Sequence, residues 1–342
     1  MSTFTANNVP IYTGPGTTYP MIESSSTSFQ VTALWKEGTY LYIDYVNAAY
    51  IRRRGYVPST SVNITETLQS VSITNNQRYV VTAATTYNGP ATSGYPTTGN
   101  LSKGTTVKFL NYKSGSFAFI EFTPIGSAMT RGYIAETSLG TAPPTITVTS
   151  AQLATVGFQY GVSSVMVSNL NLNLANWGIK TAEQIRNFLA QTCVESGYGG
   201  GLLEGRLVTY TYDYCNANYL NLPNPTTGQY GGGGFIQLTG SGNYSSYAAK
   251  VGDSAISSNG AKYVAAFKPW DSAGYYWNLN GNSGYSIKTY IDLWVSQGVI
   301  GTEICNRVSI LVNKGINSTN FTQIPGQATE RNNCFSNACK VF

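Results

Sequence analysis

The strongest constraint on the fold is a duplication within the first 140 residues. The segment VPIYTGPGTTYP (9–20) returns as ATTYNGPATSGYP (84–96), and RRRGYVPSTSV (52–62) returns as MTRGYIAETSL (129–139). The matching tyrosines have similar separations, 75 residues for Tyr12 and Tyr87 and 77 residues for Tyr56 and Tyr133. Copies that share both length and ends predict two small domains of one fold, over residues 1–65 and 74–140.

Alternating runs within each copy indicate β-strands, as in YLYIDY (40–45) and FAFIEF (117–122). The aromatic-Gly-Pro turn that opens each copy and the Gly-Tyr-Val or Gly-Tyr-Ile strand that closes it resemble the bacterial SH3-like domains that hold lysins and autolysins on peptidoglycan. The resemblance implies two β-barrels, with Tyr56 and Tyr133 in their cores. It also implies that tyrosines in turn-rich segments contact the cell wall, namely Tyr12, Tyr19, Tyr87 and Tyr95.

The rest of the chain predicts a linker and a mainly α-helical domain. Residues 141–149 contain Pro143-Pro144, which favours an extended spacer. Residues 150–342 then carry helical signals that begin at 150 and recur over 181–196, 243–252, 260–279, 286–297 and 302–313. A short strand is expected near Ile236.

Two carboxylates nine positions apart, Glu195 and Glu204, are the candidate catalytic groups. A capping box at Thr181 and Gln184 starts a helix that brings Glu195 to its last turn, at the edge of the core. A carboxyl partly removed from water has a raised pKa, as a general acid requires. Glu204 follows a run of glycines, in a polar loop where it stays ionised. Two carboxyls in unlike environments suit the cleavage of a glycosidic bond.

Four motifs resemble glycoside hydrolase family 19, the chitinase-like fold of many phage and bacterial endolysins. They are AQTCVESGYGGGLLEG (190–205), YGGGGFIQLTGSGNY (230–244), FKPWDSAGYYWNLNG (267–281) and RVSILVNKGINS (307–318), with Arg331 beyond. The resemblance implies Glu195 as general acid, Glu204 as general base and inversion at the anomeric carbon, with the carboxyls about 6.5–9.5 Å apart. It implies that the substrate is bound by Tyr198, Tyr230, Gln237, Asn243, Tyr244, Asn313 and Arg331. Val194 and Gly233 stand where the family usually has a His and an Arg, and neither of these missing groups is the acid or the base.

Composition excludes several other chemistries. The chain has no histidine, so zinc peptidases, zinc amidases and Cys-His peptidases cannot be built from their usual groups. Neither a metal nor a cofactor is expected. The net charge of +5 is too small to indicate nucleic-acid binding, and the run Arg52-Arg53-Arg54 is interpreted as a solvated strand end. An odd number of cysteines, five, fits synthesis in a reducing compartment.

Together these observations predict a multidomain peptidoglycan hydrolase, with two all-β SH3-like barrels followed by a mainly α lysozyme-like or chitinase-like domain. The N-terminal segment lacks a signal-peptide pattern and no apolar stretch is long enough to insert in a membrane. We therefore expect synthesis in a host cytoplasm and release through a holin or by lysis. Cleavage after N-acetylmuramic acid is favoured; an N-acetylglucosaminidase, a chitinase and a catalytically inactive wall-binding protein stay open.

Overall fold

The computed structural model describes residues 2–124, 127–206, 209–299 and 301–342. The chain divides into two compact units, Met1–Pro144 and Thr145–Phe342. The division falls inside the segment 141–149, which the sequence predicts to be a linker. The first unit contains the β-strands, and the second contains the α-helices. We call them the β unit and the α unit.

Each copy of the repeat forms an antiparallel sheet. The first copy contains β1 (Thr3–Phe4), β2 (Pro10–Tyr12), β3 (Met21–Ser24), β4 (Gln30–Glu37), β5 (Tyr40–Val46), β6 (Arg52–Pro58) and β7 (Val62–Asn63). The second contains β8 (Asn76–Val80), β9 (Ala84–Tyr87), β10 (Thr97–Leu101), β11 (Thr106–Ser114), β12 (Phe117–Phe122), β13 (Thr130–Ala135) and β14 (Leu139–Gly140).

Corresponding strands occupy corresponding places in the two sheets. The order is β3-β2-β6-β5-β4 in the first copy, where β1 pairs separately with β7, and β10-β9-β13-β12-β11-β8-β14 in the second. Among the described residues the two edge strands of either sheet do not pair with each other. The sheets are therefore open, and the closed barrels expected from the SH3-like resemblance are not seen.

The two copies share an aromatic core. Trp35, Tyr42 and Tyr56 of the first copy form one buried cluster with three residues of the second, Leu110, Phe119 and Tyr133. Tyr56 and Tyr133 are fully buried, as expected of core residues. They lie between the copies rather than inside separate barrels, so burial of aromatic area stabilises the pair of copies together.

Two arginines reach across this shared core in a reciprocal way. Nη1 of Arg54 donates to the hydroxyl of Tyr133 at 2.9 Å, and Nη1 of Arg131 donates to the hydroxyl of Tyr56 at 2.9 Å. Each arginine also pairs with a carboxylate of its own copy, Arg54 with Asp44 at 2.9 Å and Arg131 with Glu121 at 3.0 Å. Arg52 also pairs with Asp44, at 2.8 Å. Equivalent residues of the two copies thus make equivalent hydrogen bonds to the opposite copy.

The α unit contains ten helices in its described residues. They are α1 (Ser150–Val156), α2 (Ser164–Asn176), α3 (Ala182–Glu195), α4 (Tyr212–Ala217), α5 (Ser241–Val251), α6 (Ala255–Phe267), α7 (Pro269–Trp277), α8 (Ile287–Ser296), α9 (Thr302–Lys314) and α10 (Ala328–Ala338). One continuous core joins them. None of the helices in this part of the chain has the length and apolar character needed to cross a membrane.

Two local expectations are wrong. The strand predicted near Ile236 is a tight turn, closed by a bridge between Gly233 and Leu238. The single helical signal over 260–279 is two helices, because Pro269 starts a new helix at its first position. The sequence also did not predict α2, α4 and α10, whose short or polar stretches have weak periodicity.

Candidate active site

Helix α3 positions Glu195. The hydroxyl oxygen of Thr181 accepts a hydrogen bond from the amide of Gln184 at 3.2 Å, and Oε1 of Gln184 accepts one from the amide of Thr181 at 3.4 Å, which confirms the capping box. Most of α3 is buried, and Glu195 is its last residue. The Glu195 side chain keeps 20% of its exposure. Its carboxylate therefore stands where the core meets solvent.

Arg331 of α10 holds this carboxylate from the buried side. The arginine is 1% exposed, and its Nη2 donates to Oε1 of Glu195 at 2.6 Å. Its other nitrogens donate to the side-chain oxygen of Gln191 and to the carbonyl of Gly326. No described residue donates to Oε2 of Glu195. One oxygen is therefore fixed and the other is open.

Gln191 connects this ion pair to a third helix. It lies one helical turn before Glu195 and is fully buried. Its oxygen accepts from Arg331, and its nitrogen donates to the hydroxyl of Ser309 on α9 at 2.9 Å. Buried amides are satisfied in only one orientation when both ends have partners. Gln191 therefore fixes the position of Arg331 and, through it, that of Glu195.

A second glycine run, Gly231–Gly234, lies in a loop that we call the glycine-rich loop, and this loop holds Glu204. Oε2 of Glu204 accepts hydrogen bonds from the hydroxyl of Thr227 and from the amide of Gly232, both at 2.7 Å. A Cβ added at Gly231 would lie 3.0 Å from this oxygen, and one at Gly232 would lie 3.2 Å from Cβ of Glu204. The glycines thus let the main chain approach the carboxylate. No described residue donates to Oε1 of Glu204.

Gln237 and Tyr244 brace this loop. Gln237, with its backbone in the left-handed region (φ 52°), donates to the carbonyls of Gly201 and Gly234 at 3.2 and 2.9 Å. Tyr244 is fully buried, and its hydroxyl lies 2.9 and 2.8 Å from the carbonyls of Gly231 and Leu238. Burial, and after it the charge of Glu204, raise the pKa of Tyr244.

Two of the residues expected to contact sugar, Tyr244 and Arg331, are buried in the core instead. Tyr244 and Arg331 are buried and already hydrogen-bonded, so they support the loop and Glu195 rather than line an open groove. The reason is that their polar atoms satisfy backbone or carboxylate groups inside the core. Gln237 is half-buried beside Glu204. A Cβ added at Gly232 would lie 2.5 Å from Oε1 of Gln237 and 3.2 Å from Cβ of Glu204.

The other expected substrate-binding residues keep part or most of their exposure. Tyr198 and Tyr230 are half-buried, and Asn243 and Asn313 are exposed. Both asparagines donate to a carbonyl of the preceding turn, Thr239 and Ser309 respectively. The hydroxyl of Tyr230 donates to the carbonyl of Ser257 at 2.8 Å. Their contact with sugar stays a prediction.

Tyr276 of α7 is a site residue that the sequence did not reveal. It is half-buried, and its hydroxyl donates to the carbonyl of Leu311 on α9 at 3.0 Å. Burial, and after it the charge of Glu195, raise the pKa of Tyr276 to about 12. The motif over 267–281 contains this tyrosine, yet only its position in the fold brings it near Glu195.

The two departures from the family pattern have structural explanations. Val194 is 5% exposed and belongs to the core. Gly233 is buried, and a Cβ there would lie 2.7 Å from the Tyr244 hydroxyl and 3.0 Å from Ala261. No larger side chain fits at that position unless these neighbours move. All five cysteines are free thiols, and the described residues form no group of metal-binding side chains.

The tyrosines expected to bind cell wall separate into two pairs. Tyr19 donates to Glu121 of the other copy at 2.6 Å, and Tyr95 donates to Asp44 of the other copy at 2.7 Å. Burial, with the hydrogen bond to Asp44, raises the pKa of Tyr95 to about 12. Both hydroxyls are thus engaged between the copies.

Tyr12 and Tyr87, by contrast, form edge-to-face ring pairs within their own copies. Tyr12 pairs with Tyr40 at 6.4 Å and Tyr87 pairs with Phe117 at 6.1 Å. All four of these rings are half-buried. Each copy therefore presents one accessible aromatic pair at an equivalent position.

Comparison with solved structures returns chitinases. Chitinase C from Streptomyces griseus HUT6037 is 17% identical with a TM-score of 0.40, over 57% of this chain and 91% of that chain. A point mutant of a chitinase C is 18% identical with a TM-score of 0.38, over the same shares. A bacterial family 19 chitinase is 17% identical with a TM-score of 0.35, over 57% of this chain and 94% of that chain.

Sequence comparisons identify no related protein. No protein-family model matches the chain, and no curated protein matches it. The structural overlaps are partial and of low identity.

Proposed function

We propose that this protein hydrolyses β-1,4 glycosidic bonds of peptidoglycan. The supporting observation is that Glu195 and Glu204 are each held through one oxygen and open at the other. Glu195 is fixed by Arg331, and Glu204 is fixed by the glycine-rich loop. Two carboxyls with different supports and a free oxygen each are the groups that a glycosidase requires.

In the proposed mechanism Oε2 of Glu195 carries the proton. It gives this proton to the glycosidic oxygen as the bond to the anomeric carbon breaks. Oε1 of Glu204 takes a proton from a water molecule, whose oxygen attacks the same carbon from the opposite face. The product has an inverted anomeric configuration, and the carboxyls are expected about 6.5–9.5 Å apart to admit the water.

We propose N-acetylmuramidase as the specificity, because the β unit has features that suit a polymer of the cell wall. Two equivalent aromatic pairs, Tyr12 with Tyr40 and Tyr87 with Phe117, offer stacking surfaces. Two weak sites on one chain raise the local concentration of the attached hydrolase at its substrate. N-acetylglucosaminidase and chitinase are the alternatives. We also propose that the protein reaches a cell-wall substrate from the cytoplasm through a holin or by lysis.

Digestion of isolated cell walls and of chitin tests this function. Products are reduced with borohydride and identified by mass spectrometry, and reduced N-acetylmuramic acid is the expected new end. Glu195→Gln should stop the release of these products but should leave the sedimentation of the protein with cell walls unchanged. Glu330→Gln is the matched control, because Glu330 is a half-buried carboxylate next to Arg331 in sequence. Release by Glu195→Gln at the parent rate would contradict the assignment of the acid.

The identity of the reduced end separates the alternatives. Reduced N-acetylglucosamine from walls would indicate a glucosaminidase, and release from chitin alone would indicate a chitinase. Pelleting with walls but no release by the parent protein would leave only a wall-binding role.

A further inference from the structure

Two buried thiols meet where α3 packs against α10. Cys193 lies on α3 and Cys334 lies on α10, and both are free cysteines. Gly157, which ends α1, faces both of them. A Cβ added at this glycine would lie 3.5 Å from Sγ of Cys193 and 3.2 Å from Sγ of Cys334. The two sulfur atoms therefore lie around the same point in the core.

The two thiols also interact directly. The Cys193 thiol donates a hydrogen bond to the Cys334 sulfur, which raises the pKa of Cys193 and lowers the pKa of Cys334. Burial opposes the lowering at Cys334, and the charge of Arg331 supports it. Cys334 is therefore the thiol of this pair that ionises first. The thiolate is the form that attacks a disulfide bond.

The other three cysteines have different surroundings. Sγ of Cys305 accepts a hydrogen bond from a side-chain amide and donates one to a main-chain carbonyl, both at 3.6 Å. Burial alone raises the pKa of Cys215, on α4, to about 12. Cys339 follows Cys334 by five positions, a spacing that puts the two side chains on different sides of a helix. The pair most suited to a disulfide is therefore Cys193 with Cys334.

The pair lies one layer below the surface, beside Tyr198. The amide of this half-buried tyrosine donates to the carbonyl of Cys193 at 2.7 Å. Burial, and after it the charges of Cys334 and Cys193, raise the pKa of Tyr198. Cys334 keeps 4% of its exposure, and Cys193 is fully buried. An oxidant therefore reaches Cys334 first, while the chain folds or while α10 opens locally.

We propose that Cys193 and Cys334 form a disulfide between α3 and α10 when the chain is in an oxidising environment. The bond would tie together the two helices whose side chains form the pair of Glu195 with Arg331. Oxidising conditions are those outside the cytoplasm, so the bond would form on release from the cell. The disulfide itself does not depend on the proposed hydrolase function.

The chemistry needs a low-molecular-weight disulfide as the oxidant, such as glutathione disulfide. The Cys334 thiolate attacks one glutathione sulfur, the S–S bond breaks, and one glutathione thiolate leaves. The Cys193 thiolate then attacks the Cys334 sulfur of this mixed disulfide and releases the second glutathione thiolate. The protons of the two cysteine thiols pass through solvent to the two glutathione thiolates. Two thiols are thus oxidised and one disulfide is reduced.

Peptide mapping identifies the bond. The reduced full chain is incubated with glutathione disulfide in urea below its unfolding transition, free thiols are blocked, and the chain is digested with trypsin without reduction. The expected product joins peptide 187–206, which contains Cys193, to peptide 332–340 through Cys334. Fragmentation of the second peptide distinguishes Cys334 from Cys339. A free Cys193, or Cys334 joined to Cys339 or Cys305, would overturn the proposal.

Stability gives a second measurement. Cys193 and Cys334 are 141 positions apart, and a disulfide that closes a long loop stabilises the folded state strongly. The urea midpoint of the α unit should be about 1 M or more higher after oxidation, and dithiothreitol should reverse this shift. Equal midpoints for the oxidised and reduced chains would contradict the proposed tie between the helices.

Three variants make both measurements specific. Cys193→Ala and Cys334→Ala should each lose the linked peptide and the midpoint shift. Cys215→Ala, which removes another buried thiol, should keep both. Each variant is compared with itself in two redox states, so any loss of packing caused by the substitution cancels. A midpoint shift that survives in Cys334→Ala would overturn the assignment. Neither measurement uses catalysis, so failure of the hydrolase proposal gives a different result.

Discussion

Arg131 of the β unit and Arg331 of the α unit are both buried and both pair with carboxylates, but their surroundings differ. Arg131 in the β unit meets two carboxylates, Glu121 at 3.0 Å and Glu37 at 2.8 Å. Both oxygens of Glu121 are used, because Lys108 and Tyr19 also donate to it. Arg331 in the α unit meets one carboxylate, Glu195, and two neutral oxygens.

The carboxylates of Glu121 and Glu195 also differ in exposure. The Glu121 side chain is 5% exposed and that of Glu195 is 20% exposed. Burial acts to raise the pKa of Glu121, but the Tyr19 hydrogen bond and the charges of Arg131 and Lys108 outweigh it, so that pKa is lowered. An Arg-carboxylate pair therefore does not identify a site by itself. The difference at Glu195 is that its Oε2 has no hydrogen-bond donor among the described residues.

The largest expected effect comes from breaking the ion pairs of Arg131 with Glu121 and Glu37. Arg131→Met leaves Glu121 and Glu37 without their shared cation, and loss of one partner of a buried pair costs about 3–5 kcal/mol. The free energy of unfolding of the β unit, measured by urea denaturation, should fall by this amount. Hydrolysis of a soluble oligosaccharide should not change. Lys103→Met removes an exposed charge of the same unit and should cost less than about 1 kcal/mol.

Breaking the hydrogen bonds that Arg331 donates should instead change the rate of hydrolysis. Arg331→Lys keeps the charge but cannot donate to Glu195, Gln191 and Gly326 together, because an ammonium lacks the planar fork of arginine. We expect kcat on a soluble oligosaccharide to fall about 10–100-fold, since small displacements of catalytic groups have effects of this size. The matched change Arg307→Lys, at a surface pair with Glu303, should leave kcat unchanged. Equal kcat values for both variants would contradict the positioning role of Arg331.

Gln191→Glu should have a smaller, pH-dependent effect. The introduced carboxylate competes with Glu195 for Arg331, and we expect kcat at neutral pH to fall about tenfold. Once protonated at lower pH it resembles the native amide, so the ratio of variant to parent kcat should recover as pH falls. Gln159→Glu, at an exposed position, is the control. A ratio that is constant with pH would indicate a merely structural role for Gln191.

Asp292 tests a carboxylate that lacks an arginine. Gln184 donates to both of its oxygens at 2.9 Å. Burial, with the charge of Glu183, raises its pKa from 3.8 to about 6, although Gln184 and Lys288 act in the opposite direction. Because the folded-state value is the higher one, the associated stability is complete below about pH 4 and is lost as pH rises through 6.

Asp292→Asn should therefore stabilise the α unit at pH 8 by about 1–3 kcal/mol relative to the parent. At pH 4 the two proteins should be alike. Urea denaturation at both pH values measures the difference. Glu303→Gln, whose side chain is 58% exposed, should show no comparable gain. A gain for Asp292→Asn that is equal at both pH values would show that packing, rather than titration, is its cause.

Local features of the site were predictable from sequence because they depend on near neighbours. The capping box at Thr181 starts the helix that ends at Glu195, and the glycine run allows a close approach to Glu204. Contacts over long separations were not predictable in this way. Arg331 and Glu195 are 136 positions apart, and the role of Gln191 depends on both of them.

Residue type does not predict local structure where tertiary contacts dominate. Phe235, Ile236 and Leu238 favour a strand by composition, but the loop turns so that Phe235 stacks on Trp270. Tyr19 and Tyr95 lie in turns, as ligand-binding tyrosines often do, yet each bonds a carboxylate of the other copy. The duplication was visible in sequence, whereas the packing of the copies against each other required the fold.

The anomeric configuration of the first product tests the central claim most directly. A soluble β-1,4 oligosaccharide is hydrolysed in an NMR tube, and the anomeric proton signals are recorded before mutarotation. If Glu195 and Glu204 act on opposite sides of the bond through a water molecule, the α-anomer appears first. A β-anomer at the earliest times would contradict this account, because it would require a covalent intermediate or a different pair of groups.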